Sequence, residues 1–347
     1  MNFYKNKTVL ITGHTGFKGT WLTNVLNRLG AKVVGYALKA EELSLYNLSN
    51  IDNKIISVIG DIRDFDHLQH VFNEYKPEIV FHLAAQPLVK QGYEDPLYTY
   101  DVNVMGSVNV LECIRLSDSV KSFVNITTDK VYRNSDKSHS EEDFLDGYDP
   151  YSNSKSCSEL VTGTYIRSFL KDKVAISTMR SGNVLGGGDF GKYRIIPDCV
   201  KAYLNNEKLI LRSPTSIRPY QHVLDVINLY LLVGEKQFED YKYAGCYNVG
   251  PDKNDCINNE QLVNLFNKTL IEYNQKPIEY IVEDNPNLVE SDILLLDNSK
   301  IKKVFDYQSR FNIEDAIKEV VDFMIHYQQN DSIEEYLNKI IDDYLNL

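Results

Sequence analysis

A chain of 347 residues is long enough for about two structural units, and 43% apolar with 25% charged residues is ordinary globular composition, which excludes disorder, collagen-like repetition and a small disulfide scaffold. Thirty-seven basic against 49 acidic residues leave a net charge of −12, which argues against a broad electrostatic grip on nucleic acid or an anionic bilayer. One small anionic ligand in a local basic pocket stays open.

Residues 7–12 (KTVLIT) form a β-branched run that meets Gly13, and residues 20–29 then carry apolar positions at helical spacing up to Gly30. The pattern repeats with runs at 32–36, 55–59, 79–83, 122–127 and 175–180. Nearly continuous apolar strands separated by helices indicate a parallel sheet covered on both faces, wound in the Rossmann manner. This α/β domain is expected to occupy residues 1–182. A smaller C-terminal α/β region, 183–330, would bind substrate, with some segments returning to the sheet; it opens with a glycine-rich loop at 186–191, a helix near 195–205 and a strand near 208–212. Residues 313–347 read as helical, and 331–347 as an acidic, solvated amphipathic helix. Five widely spaced cysteines without a CxxC pair read as buried thiols rather than metal ligands. No apolar run is long enough to span a bilayer. The start is too short and polar for a signal peptide, so a cytoplasmic protein is expected.

Gly13, Gly16 and Gly19, with Thr15, Phe17 and Lys18 between them, fall at three-residue intervals between the first strand and the first helix. Such glycines allow a tight turn, close backbone approach to a pyrophosphate and tight helix–strand packing, so a dinucleotide is expected here. Asp61 and Ile62 would meet the adenine, and Leu83, Ala84 and Ala85 would line the cofactor's path. The second strand ends Gly35-Tyr36-Ala37-Leu38 without an acidic residue for the ribose, so NAD and NADP are both open, and Lys39 could face a 2′-phosphate. Tyr151 and Lys155 stand four residues apart at the start of a helix, on one face. An ammonium beside a phenol stabilises phenolate. Thr127-Thr128-Asp129-Lys130 lies at the carboxyl end of the fifth strand, the edge where such sheets bind ligands.

The motifs HTGFKG (14–19), GDIRD (60–64), HLAAQPLV (82–89), TDKVY (128–132), DPYSNSK (149–155), GNVLGGGDF (182–190), RIIPD (194–198) and RPYQHV (218–223) resemble, in order, those of the extended short-chain dehydrogenase/reductases acting on nucleotide sugars. The resemblance covers roughly residues 5–328 and is strongest to the 4,6-dehydratases of CDP-sugars. It implies NAD and a redox-neutral reaction in which a hydride leaves sugar C4, water is eliminated across C5 and C6, and the hydride returns to C6. By motif match, Tyr151 would take the C4 hydroxyl proton, Lys155 would lower its pKa and hold the nicotinamide ribose, and Thr128 would bond the C4 oxygen. Asp129 would protonate the departing C6 hydroxyl. Lys130 stands where the dTDP-sugar enzymes carry Glu, and would be either the C5 base or an electrostatic stabiliser. Asn183, Arg194 and Arg218 would contact substrate, with Gln86 and His222 in matching motifs. A late arginine common in relatives is missing from Leu288-Val289-Glu290-Ser291-Asp292.

The resemblance also implies a homodimer through a four-helix bundle of helices near 99–117 and 151–169. No nucleic acid, membrane or metal is expected. A 4-epimerase needs no acid for elimination, so Asp129-Lys130 weighs against it. A non-catalytic dinucleotide-binding regulator would not need the set Thr128, Asp129, Tyr151 and Lys155.

Overall fold

The computed structural model describes residues 3–135, 137–283 and 294–347. Six expected strands form at β1 (Thr8–Thr12), β2 (Lys32–Ala37), β3 (Ile56–Ile59), β4 (Ile79–His82), β5 (Ser122–Thr128) and β6 (Ala175–Ser181). Short ones follow at β7 (Asn183–Leu185), β8 (Leu209–Leu211), β9 (Ile217–His222), β10 (Cys246–Val249), β11 (Cys256–Asn258) and β12 (Tyr280–Val282). The main sheet has seven strands in the order β10-β6-β5-β4-β1-β2-β3, all parallel. The order reverses between β1 and β4, the crevice at which doubly wound sheets bind ligands.

Each face of the sheet is sealed by its own core. On one face Ile11, Phe81 and Val124 pack with Trp21 and Leu22 of helix Phe17–Arg28 and with Leu229 and Tyr230 of helix Val223–Glu239. On the other, Leu10, Val80 and Phe123 pack with Leu68 and Phe72 of helix Phe65–Tyr75 and with Val110 and Leu111 of helix Gly106–Arg115. Segments after residue 183 return to the sheet: helix Val223–Glu239 covers it and β10 extends it. Four residues, CYNV, carry too little pattern for a strand to be seen in sequence.

The rest of the second half forms a lobe over the carboxyl edge. It contains a three-stranded sheet β11-β9-β7, a parallel pair β12-β8, and helices Ile195–Asn205, Asn259–Glu272 and Ile313–Gln328 around a third core. The acidic end is a separate helix, Ile333–Leu345, and one face of it is docked rather than solvated. Leu337 and Ile341 are fully buried in the core beside Leu22 and Leu26, and Arg28 pairs with Asp342. Cys113 and Cys199 are buried, whereas Cys157, Cys246 and Cys256 are only half-buried, and all five are unpaired. Among the described residues no helix is long and apolar enough to cross a membrane, and no group of three or more His, Cys, Asp or Glu side chains could hold a metal ion.

Candidate active site

β5 ends at Thr128 and runs into a single 3-10 turn, Asp129–Val131. The Thr128 hydroxyl accepts from the Lys130 amide at 3.3 Å and donates to Asp129 Oδ1 at 2.9 Å. Asp129 is 2% exposed, and its Oδ2 is buried with no hydrogen-bond partner. Burial raises its carboxyl above the ordinary range against the opposing pull of Lys130 and Thr128.

Across from this turn begins helix Pro150–Tyr165, capped by Asp149, which accepts from the Ser152 amide at 3.0 Å, with proline in its first turn. The four-residue spacing puts Tyr151 and Lys155 one above the other on the face turned to β5. Lys155 Nζ donates to the Ile126 carbonyl at 3.2 Å, and burial lowers its pKa to about 8. Tyr151 differs from the sequence expectation. Burial pushes its phenol up to about 12, against its hydrogen bond with Thr128 and the charge of Arg194, while the Lys155 ammonium points to a carbonyl instead.

One turn beyond Lys155 lies Glu159, which sequence reading missed. It accepts from Thr127 Oγ1 at 2.6 Å, Thr178 Oγ1 at 3.1 Å and Arg180 Nε at 2.8 Å. Arg180 also donates to the Tyr132 hydroxyl at 2.8 Å, which donates to Asn248 Oδ1 at 2.6 Å. This buried ion pair fastens the tyrosine helix to β5, β6 and the Asp129 turn together. The available signal was a single charged residue, an arginine, inside a parallel strand, AISTMRS, that is buried along its whole length.

Lys18, Thr128, Asp129, Lys130, Tyr151, Asn183, Arg194 and Arg218 line one cavity between the sheet edge and the lobe. Arg218 sits in β9, 4% exposed, two residues before Tyr220, which pairs with Asn183 of β7, and Arg194 Nη1 lies 3.0 Å from Asp189, whose carboxylate holds its charge in place. The far wall is built by Leu209–Ser213, Tyr220 and Asn259 of the lobe.

Two expected substrate residues lie elsewhere. Gln86 is buried in a bracket, its side chain donating to Thr99 Oγ1 at 2.8 Å and its amide to Asn103 Oδ1 at 2.8 Å. His222 is enclosed, 3.1 Å from Glu319 and stacked on Phe311 at 3.9 Å, and caps helix Val223–Glu239 by accepting from the Leu224 amide. The glycine-rich loop also differs from expectation: Gly187 donates to Glu319 at 2.7 Å and a Cβ there would meet the Phe323 ring at 2.4 Å, so its glycines serve close packing. Only its Asp189 reaches the cavity. The segment 288–292 lies outside the described residues.

The first glycine loop has the shape that a dinucleotide pyrophosphate requires. Gly13 has φ +78°, and a Cβ on Gly19 would stand 2.0 Å from the Gly13 carbonyl. Gly16 starts helix Phe17–Arg28 without a side-chain cap, so the first-turn amides are free to meet an anion. Thr15 donates to the Leu38 carbonyl at 3.0 Å, tying the loop to the end of β2, where Lys39 is exposed. Ala84 packs on Gly13 as β4 leaves the sheet, beside Leu83 and Ala85. Asp61, two residues beyond β3, is already engaged by Arg63 at 2.7 Å, which lowers its pKa, and Ile62 is buried against Gly106.

Comparison with known proteins extends over almost the whole chain. The family model for GDP-mannose 4,6 dehydratase matches residues 10–320. A CDP-glucose 4,6-dehydratase from Salmonella typhimurium is 39% identical over 330 residues, 92% of this chain and 91% of that protein. A CDP-paratose 2-epimerase from Salmonella typhi is 25% identical over 347 residues, covering 91% and 98%. Among solved structures, a dTDP-glucose 4,6-dehydratase from Bacillus anthracis in complex with NAD superposes with TM-score 0.77 at 22% identity, covering 95% and 99%. A Thermotoga maritima UDP-glucose 4-epimerase with UDP-glucose gives 0.79 at 21%, covering 92% and 99%.

Proposed function

The chain belongs to the GDP-mannose 4,6-dehydratase family, and from that membership we propose that it is an NAD-dependent 4,6-dehydratase acting on CDP-glucose, giving CDP-4-keto-6-deoxyglucose and water. The observation that carries the reading is Asp129: a buried carboxyl, raised by desolvation above its ordinary range, on the cavity wall that also carries Thr128 and Tyr151. Removing water from a sugar needs such an acid, whereas inverting C4 does not.

Thr128 hydrogen-bonds the C4 oxygen and Tyr151 receives its proton. Bound at the glycine loop, NAD⁺ supplies a reversible acceptor for the C4 hydride. The positive charge of protonated Lys155 lowers the phenol toward a working range once its ammonium turns from Ile126 to the tyrosine and the nicotinamide ribose. Asp129 then donates its proton to the departing C6 hydroxyl, and Lys130, on the same wall, acts on the C5 proton or on the enolate that its loss creates. Arg218 and Arg194 face the substrate diphosphate with Asn183 beside them. Gly13, Gly16 and Gly19 would hold the pyrophosphate of NAD, and Asp61 and Ile62 its adenine.

Residues 1–182 form the cofactor unit and 183–330 the main nucleotide-sugar unit in this reading. Exposed Leu97 and Met105 on the helical stretch 96–115, and Leu160 and Phe169 on 150–170, support a homodimer through those helices. Five unpaired cysteines fit a reducing cytoplasm.

The test is incubation of the purified protein with NAD and a panel of CDP-, dTDP-, GDP- and UDP-sugars. CDP-glucose is expected to give a 4-keto product, seen as alkali-induced absorbance, without net NADH. Stoichiometric NADH, or turnover of the other nucleotides but not of CDP-glucose, would overturn the reaction or the substrate respectively.

A further inference from the structure

Lys18 is the second residue of helix Phe17–Arg28, yet its side chain reaches the cavity that Tyr151, Asp129 and Arg194 line. Its ammonium lies 6.0 Å from the ring of Tyr230 on helix Val223–Glu239, and no hydrogen bond or ion pair of the described residues engages it. The charges that face it come from three other elements: Lys155 on the tyrosine helix, Asp129 on the turn after β5, and Asp189 and Arg194 on the loop before helix Ile195–Asn205. Neither carboxylate forms an ion pair with it: Asp189 takes Arg194 at 3.0 Å, and Asp129 accepts through Oδ1 from Thr128 at 2.9 Å. Burial, then repulsion from Lys155 and Arg194, lowers the Lys18 pKa to about 7. A cation withdrawn from water and left without a counter-ion is costly, and the cost is relieved when an anion arrives.

We propose that the Lys18 ammonium is a diphosphate receptor, pairing with a phosphoryl oxygen of a nucleotide bound between the glycine loop and the cavity. The inference rests on the nucleotide-sugar reading above, which supplies two sources of that oxygen, the dinucleotide and the substrate. Pairing with a dianionic diphosphate stabilises the protonated lysine, so binding above neutrality draws a proton from solvent.

The test is titration calorimetry of the full-length protein with NAD⁺ and, separately, with CDP, at pH 8 in two buffers of different ionisation enthalpy. Wild-type protein should take up ~1 proton with one of the ligands. Lys18→Met should weaken that ligand about ten-fold or more and abolish the uptake. Lys18→Arg, permanently charged, should restore affinity without proton uptake. Loss for NAD⁺ alone identifies the cofactor's pyrophosphate, and loss for CDP alone the substrate's diphosphate; either supports the proposal. If both ligands bind Lys18→Met within about two-fold of wild type, the proposal is overturned while the dehydratase reading stands. Wild-type protein that binds neither ligand would overturn both.

Discussion

The two walls of the cavity are made differently. The sheet-edge wall, Thr128 to Lys130 with Tyr151 and Lys155, rests on parallel strands and on a buried polar network centred on Glu159 and Arg180. The lobe wall presents Arg194 and Arg218 from a loop and a three-stranded sheet, with Arg194 half-exposed and paired with Asp189. Rigid placement suits proton transfer, which fails with small displacements. A wall of cations on shorter elements suits recognition of a diphosphate and can vary with the nucleotide. The first wall is therefore expected to govern turnover and the second binding.

The largest effects should come from the chemistry. Asp129→Asn and Tyr151→Phe should each lower kcat by about 10²–10⁴ while CDP affinity changes little, measured by steady-state kinetics and calorimetry. A comparable loss of CDP binding would break the division between the walls. Next in size, Arg180→Met leaves Glu159 buried and uncompensated and should cost about 3–5 kcal/mol of folding stability, read from denaturant unfolding. Acid should act through two buried imidazoles. Burial lowers His82 to about 3 and His14 to about 4, so an unfolded chain, with ordinary histidines near 6.5, binds more protons below that pH. Their stabilisation is complete above about pH 6.5 and is lost as pH falls toward the folded values, roughly 3 kcal/mol for His14 alone. The melting temperature should drop between pH 6.5 and 4, and His82→Asn should flatten that slope. The smallest effect is on the lobe: Arg218→Ala should raise KM about ten-fold or more with kcat within a few-fold. A fall in kcat instead would place Arg218 with the chemistry.

What was legible in the sequence follows the range of the interactions. Tyr151 and Lys155 share a helix face, and Thr128 and Asp129 adjoin on one strand end, so local spacing predicts their meeting. The six apolar strands predict the sheet and its ligand edge. Glu159 and Arg180 meet only because the tyrosine helix packs back on β6, and no short-range pattern carries that. His222 shows the opposite failure: alternation along β9 would set it on the face of Arg218, but it is the last residue of the strand and caps the next helix, and its ring goes to Glu319. Gly186, Gly187 and Gly188 read as a ligand loop because permissive backbone looks the same whether a ligand or a phenylalanine comes close. The apolar stripe of the terminal helix was visible, but what covers it, helix Phe17–Arg28, is some 300 residues away in sequence.

The most direct test of the central claim follows the label from CDP-glucose deuterated at C4. A dehydratase that returns the same hydride should give CDP-4-keto-6-deoxyglucose with the deuterium at C6, detected by mass spectrometry and NMR of the product. Deuterium retained at C4 of an epimerised sugar, or released in free reduced cofactor, would contradict the account.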